Sequence, residues 1–165
     1  MPDTPIWPIE GVALESVDPA VAGSLAYRIL RMYDDNYMPV SVYPTLAAGA
    51  TVISDTDAWH LGTVAQVVPA TTITSDYLIH TVTIETLTAT NIEGVYELVL
   101  YQGGADAEVA RVRFSVFGGF FGMGVFKMPS ALVPANARVR AALAFSGAAA
   151  GAATATISIA YRVVA

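Results

Sequence analysis

Apolar residues recur at every second position in most regular segments of this chain, and that period of two limits the folds open to it. In segment 109–117, the even positions hold Ala, Val, Phe and Val, while the odd positions from 111 to 115 hold Arg, Arg and Ser. Successive side chains of a β strand point to opposite faces, so the pattern predicts a strand with its even positions in a core. Segment 137–146 repeats the pattern, with one face made of Val139, Ala141, Leu143 and Phe145, and the small, uncharged outer face of Ala142 and Ala144 suits packing against another subunit. No segment sustains the period of 3.6 that predicts a helix.

Glycine, proline and small polar residues separate these segments, as turns between strands require. Residues 102–105 (Gln-Gly-Gly-Ala) predict a hairpin between the strands on either side. We therefore expect an all-β fold with little helix, an antiparallel β-sandwich or jelly roll built from residues 24–165 as a single domain. The predicted strands are 25–32, 40–43, 51–54, 63–68, 77–88, 95–102, 109–117, 137–146 and 154–164.

Residues 1–23 predict an extended N-terminal arm rather than a strand of the sandwich. Pro2, Pro5 and Pro8 recur every third residue, the period of polyproline II, and Ile6 and Trp7 lie between them. An exposed tryptophan is unfavourable in water, so the arm is expected to be partly buried. Two interpretations remain open: the arm packs on its own domain, or it lies over a neighbouring subunit.

Low charge is the unusual feature of the composition. Only 13 % of the 165 residues are charged, with a net charge of −6 and no cysteine, against about 25 % charged in typical domains. The negative charge predicts no nucleic-acid partner. The longest uncharged run, 141–161, ends in strand-like alternation, and the first dozen residues lack signal-peptide features, so we expect no membrane partner. A weakly charged surface predicts contact with partner subunits.

The most distinctive segment is 117–124, Phe-Gly-Gly-Phe-Phe-Gly-Met-Gly, which matches no phosphate-binding pattern. Its apolar side chains either fold back over one end of the sandwich or, if exposed, form a contact with another subunit. The predicted intersubunit contacts, from this segment and the arm, are Pro5, Ile6, Trp7, Pro8, Phe117, Phe120, Phe121 and Met123.

Residues suited to catalysis are scarce. The chain has only two histidines, His60 in a turn and His80 within a strand, where we expect a hydrogen-bonded core or interface residue. Acidic pairs at 34–35, at 55 and 57, and at 106 and 108 offer calcium ligands, although such residues are also ordinary turn formers. We therefore predict no catalytic residue, no metal site and no cofactor.

Four stretches resemble small virion proteins of tailed bacteriophages. They are 94–101 (GVYELVLY), 108–114 (EVARVRF), 133–141 (VPANARVRA) and 156–161 (TISIAY). The resemblance implies a jelly-roll head decoration or cement protein. Such a protein binds the major capsid protein on the outer surface of the head, often as a homotrimer, after synthesis in the host cytoplasm.

Two other classes of function remain open from the sequence. One is a trimeric receptor-binding or fibre-tip β-sandwich module whose loops bind host-surface glycan. The other is a carbohydrate-active or metal-dependent jelly-roll enzyme, which the scarcity of histidine disfavours.

Overall fold

The structure is a computed structural model that describes residues 40–45, 48–89, 92–118, 123–147 and 152–164. The predicted arm and the predicted strand 25–32 lie outside these residues. Nine strands occur in the described part of the chain. They are β1 (Ser41–Tyr43), β2 (Ala50–Ile53), β3 (Ala65–Val68), β4 (Tyr77–Thr88), β5 (Gly94–Gln102), β6 (Ala107–Val116), β7 (Gly124–Lys127), β8 (Val139–Phe145) and β9 (Thr154–Val163).

The strands form two antiparallel sheets. Sheet A has the order β1-β9-β4-β7, with β2 also paired to β9, and sheet B has the order β3-β8-β5-β6. Because β1 and β2 pair with successive parts of β9, they act as one interrupted strand. Eight strands divided in this order between two sheets are the arrangement of a jelly roll. The predicted all-β, antiparallel sandwich with little helix is therefore confirmed. No helix of the described residues is long and apolar enough to cross a membrane.

Every predicted strand that falls within the described residues is present, with ends that differ by at most two residues. The predicted hairpin is also confirmed, because β5 and β6 pair antiparallel across the turn at 103–106. Strand β7 was not predicted from the sequence. This strand has only four residues, two of them exposed, and it is positioned by pairing with Thr81–Ile84 of β4.

Aromatic side chains join the two sheets in the core. Tyr96 of β5 stacks on Phe114 and Phe145 within sheet B, with ring centroids 5.2 and 4.6 Å apart. Phe114 in turn lies 4.9 Å from Phe126 of β7 in sheet A. The Tyr96 hydroxyl donates a 2.9 Å hydrogen bond to the carbonyl of Ile92. Close packing of large rings links β5, β6, β7 and β8 near one end of the sandwich.

Two β-bulges in β4 change which of its residues face the core. The register with β9 skips one residue between Ile79 and Thr81 and one between Ile84 and Thr86, so His80 and Glu85 have no opposite partner. Each bulge shifts the alternation by one position. The expectation of a hydrogen-bonded His80 is not met at Nε2, which is buried and has no partner in the described structure. Glu85 folds over sheet A and accepts a hydrogen bond from the buried Ser158 hydroxyl.

Candidate interaction surfaces

An exposed apolar group, here called the apolar edge, lies where β6 leads into β7. It consists of Phe117, Met123 and Val125, which are 77 %, 64 % and 63 % exposed. The strands that carry or border them adjoin, because Phe114 of β6 packs on Phe126 of β7, and monomeric proteins seldom expose a large apolar patch. For Phe117 and Met123 the structure agrees with an exposed position. The other predicted contacts, Pro5, Ile6, Trp7, Pro8, Phe120 and Phe121, lie outside the described residues.

The same edge carries open backbone. Strand β7 pairs with β4 on one side, and no described strand pairs with its other side. An edge strand of this kind presents free N–H and C=O groups that can bind another chain. Lys127 at the end of β7 is exposed, and a lysine on an edge limits unspecific pairing. Backbone and side chains at this edge therefore both offer a contact surface.

Sheet B carries a network of charges on the face turned away from the core. The Glu97 carboxylate accepts hydrogen bonds from Arg111 and Arg113, and its side chain is only 8 % exposed. Arg111 also binds Glu108 in a bidentate geometry, with N–O distances of 3.0 and 2.7 Å. These hydrogen bonds from Arg111 lower the pKa of the Glu108 carboxyl. Such fork-like pairs hold the arginine side chains in fixed orientations.

This face is less open than its alanines suggested. Ala142 and Ala144 do point away from the core, as the alternation predicted, yet they are 0 % and 1 % exposed. Arg111 and Arg113 are opposite Val99 and Glu97 in the register, and those residues neighbour the two alanines across β5. The expectation that these alanines offer a bare surface to another subunit is therefore wrong, because the face is already covered.

Trp59 lies on this face, in the connection between β2 and β3. The Arg113 guanidinium is 5.6 Å from the centre of its ring, and Trp59 is 48 % exposed. Its backbone has a φ of 63°, which is a strained conformation for a bulky residue. Trp59 was not among the contact residues predicted from the sequence. Turn-forming residues at 55–57, two positions before an aromatic residue, are the signal that marks it.

The connection that carries Trp59 is held firmly at both ends. The amides of Trp59 and Gly62 donate to the carbonyls of Phe145 and Leu143 in β8, at 2.7 and 2.9 Å. A Cβ on Gly62 would overlap the carbonyl of Ile53, so the two ends of the loop touch. The Asp55 carboxylate accepts the Asp57 amide at 3.0 Å, which lowers the pKa of Asp55. Residues 55–61 therefore form a compact, anchored loop.

The acidic pairs form no cluster suited to calcium in the described part of the chain, where no three metal-ligating side chains come together. Asp106 is paired with Arg140, and Glu108 is paired with Arg111. Asp57 lies 3.7 Å from His60 in an exposed pair. The pair at 34–35 lies outside the described residues.

No protein-family model and no curated protein matches this chain. Among solved structures, an insecticidal delta-endotoxin of Bacillus thuringiensis, Cry8Ea1, is 13 % identical over 64 % of this chain and 18 % of its own, with a TM-score of 0.40. An arabinose-bound α-L-arabinofuranosidase, MgGH51, is 14 % identical over 63 % and 18 %, with a TM-score of 0.35. The structure of infectious bursal disease virus, Gx strain, gives 18 % identity over 74 % and 32 %, with a TM-score of 0.32. This chain thus covers a third or less of the length of each of these proteins. Similarities this weak assign no function.

Proposed function

We propose that this chain is a structural virion protein of the head decoration or cement type. It binds the major capsid protein on the outer surface of a phage head and contacts its own copies, as a homotrimer. The jelly-roll strand order agrees with this proposal, since viral capsid domains use that fold. The phage-like stretches at 94–101, 108–114, 133–141 and 156–161 support it from the sequence.

The observation that carries the proposal is the apolar edge. Large side chains have areas on the order of 150–250 Å², so Phe117, Met123 and Val125 leave roughly 350 Å² of apolar area in water at their observed exposures. That is close to half of the roughly 800 Å² that each partner contributes to a standard interface. The open backbone of β7 adds hydrogen-bonding groups to the same surface. A surface of this kind is expected to be buried against another protein.

Charge supports the outside of the head rather than the inside. The chain has a net charge of −6, and packaged DNA would repel a layer of such chains. A protein that binds the assembled shell but not its separate subunits stabilises the shell by mass action. This role requires neither a catalytic residue nor a cofactor. The protein would be made in the host cytoplasm and would act in the virion.

The experiment is to purify virions from the source culture and measure the copies of this chain relative to the most abundant head protein, by quantitative mass spectrometry. Copies comparable with the head protein are expected for a decoration layer. A few copies per particle would overturn head decoration and favour a fibre-tip module. Absence from virions would overturn a structural role altogether.

A further inference from the structure

The surface around Trp59 combines features that the proposed shell contact does not use. It consists of the Trp59 ring with the Arg113 guanidinium over it, together with the paired Asp57 and His60 of the same loop as Trp59, and we call it the Trp59 face. The ring is 48 % exposed, and the Arg113, Asp57 and His60 side chains are 66 %, 74 % and 67 % exposed. An aromatic plane thus lies next to several accessible polar groups.

The Arg113 guanidinium is held in a fixed orientation and keeps hydrogen-bond donors available to a ligand. Arg113 donates through Nε to Glu97, and no residue of the described ranges accepts from its two terminal nitrogens. Glu97 is itself fixed by Arg111, which also holds Glu108. The Arg113 fork is therefore held over the Trp59 ring before any ligand arrives, and such preorganisation reduces the entropy lost on binding.

A pyranose ring has one apolar C–H face and a rim of hydroxyl groups. A tryptophan ring matches the apolar face, and guanidinium, carboxylate and imidazole groups match the hydroxyl rim. Charge decides between neutral and acidic sugars. Glu97 and Glu108 balance Arg111 and Arg113, and Asp55 and Asp57 lie on the adjoining loop. The local net charge is therefore negative, which repels acidic sugars.

From this geometry we infer that the Trp59 face binds a neutral pyranose unit of a glycan, which packs on the part of the Trp59 ring that Arg113 leaves exposed while Arg113 donates to its hydroxyls. The inference goes beyond the proposed shell contact, which rests on the apolar edge. It holds whether the chain decorates a head or forms a fibre tip, because it concerns the isolated protein.

Binding is measured by affinity electrophoresis of the full chain in gels containing dextran, mannan, galactomannan or the acidic control alginate. Retarded migration is expected in at least one neutral gel. Trp59→Ala should weaken the retardation roughly tenfold or more, as expected when an aromatic contact is truncated. Leu132→Ser, which removes an exposed apolar residue outside both the Trp59 face and the apolar edge, should migrate like the parent chain. Arg113→Gln tests the site again if Trp59→Ala does not fold.

A direct optical test uses the chain's two tryptophans, Trp7 and Trp59. In a Trp7→Phe background, Trp59 is the only indole, and its emission should shift to the blue as the neutral polysaccharide covers it.

No retardation in any neutral gel, retention only by alginate, or equal retardation of parent and Trp59→Ala would each overturn the inference. The copy number in virions is measured separately, so this result and the test of the proposed function can fail independently.

Discussion

The apolar edge can be tested by replacing Phe117 and Met123 with serine in one variant. Both side chains are mostly exposed, at 77 % and 64 %, so their loss leaves no cavity in the folded chain. Surface substitutions of this kind change the free energy of unfolding by about 0.5 kcal/mol or less. Any larger effect of the variant must therefore arise from contacts between chains.

The size of that effect follows from the exposed area. A phenylalanine of about 200 Å² that is 77 % exposed offers roughly 150 Å² to a partner. At about 25 cal/mol per Å², complete burial of this area would contribute about 4 kcal/mol. Ordering the side chains on association offsets part of this contribution, so we expect about half of this value to remain. A loss of about 2 kcal/mol weakens self-association about 30-fold.

Sedimentation equilibrium over a range of protein concentrations measures this dissociation constant directly, and chemical unfolding measures stability in the same samples. Leu132→Ser is the matched control. Leu132 is also exposed, at 48 %, but it lies in the connection between β7 and β8, away from the apolar edge. A double variant that unfolds normally and associates as tightly as the parent would refute the assignment of this edge to subunit contact.

Three further predictions concern the fold. Phe114→Ala should lower the free energy of unfolding by about 3–5 kcal/mol, because the ring bridges the sheets between Tyr96 and Phe126; a loss below about 1 kcal/mol in a denaturant titration would contradict this. Gly62→Ala should cost about 1–3 kcal/mol by forcing the loop ends apart, and Trp59 emission should change with it. Burial raises the pKa of Tyr96 to about 12. The contribution of its neutral phenol to stability is therefore complete below about pH 10 and is lost as the pH rises towards 12. The melting temperature of Tyr96→Phe should accordingly fall less steeply at alkaline pH than that of the parent chain.

Most of the sandwich was predictable because its strands are long and one face of each is buried. In β6 the even positions from 110 to 116 are buried or half-buried and the odd positions are exposed, as the alternation predicted. Local patterns of this kind reflect one simple cause, the contact of one face with the core. The hairpin at 103–106 was also predictable from a local cause, because the glycines that favour its turn act locally.

Features fixed by distant pairing were not predictable. Strand β7 is too short to show a pattern, and β4 on its far side determines its place. The bulges at His80 and Glu85 depend on the register with β9, which runs more than 70 residues later. An unbroken alternation through β4 would place Leu78 on the same face as Val82 and Ile84. In the structure Ile79, not Leu78, shares the buried face of Val82.

The covered outer face of sheet B has a similar explanation. The sequence correctly predicted that Arg111 and Arg113 point outward, but not that both turn back to a single carboxylate on the neighbouring strand. Glu97 looked like an ordinary outward residue of β5, and only the pairing of β5 with β6 shows that it lies between two guanidinium groups. A buried carboxylate requires such partners.

These ion pairs also bear on how copies of the chain meet. Glu97, Glu108, Arg111, Arg113, Asp106 and Arg140 satisfy one another within the molecule, so they contribute little repulsion or attraction between copies. The apolar edge contains no charged side chain among its three residues. Association driven by burial of such an edge depends weakly on ionic strength, whereas a charged interface weakens as salt screens it. Raising the salt concentration from about 50 to about 500 mM shortens the Debye length severalfold. Self-association that falls steeply over this range would therefore place the contact on the charged face and not at Phe117.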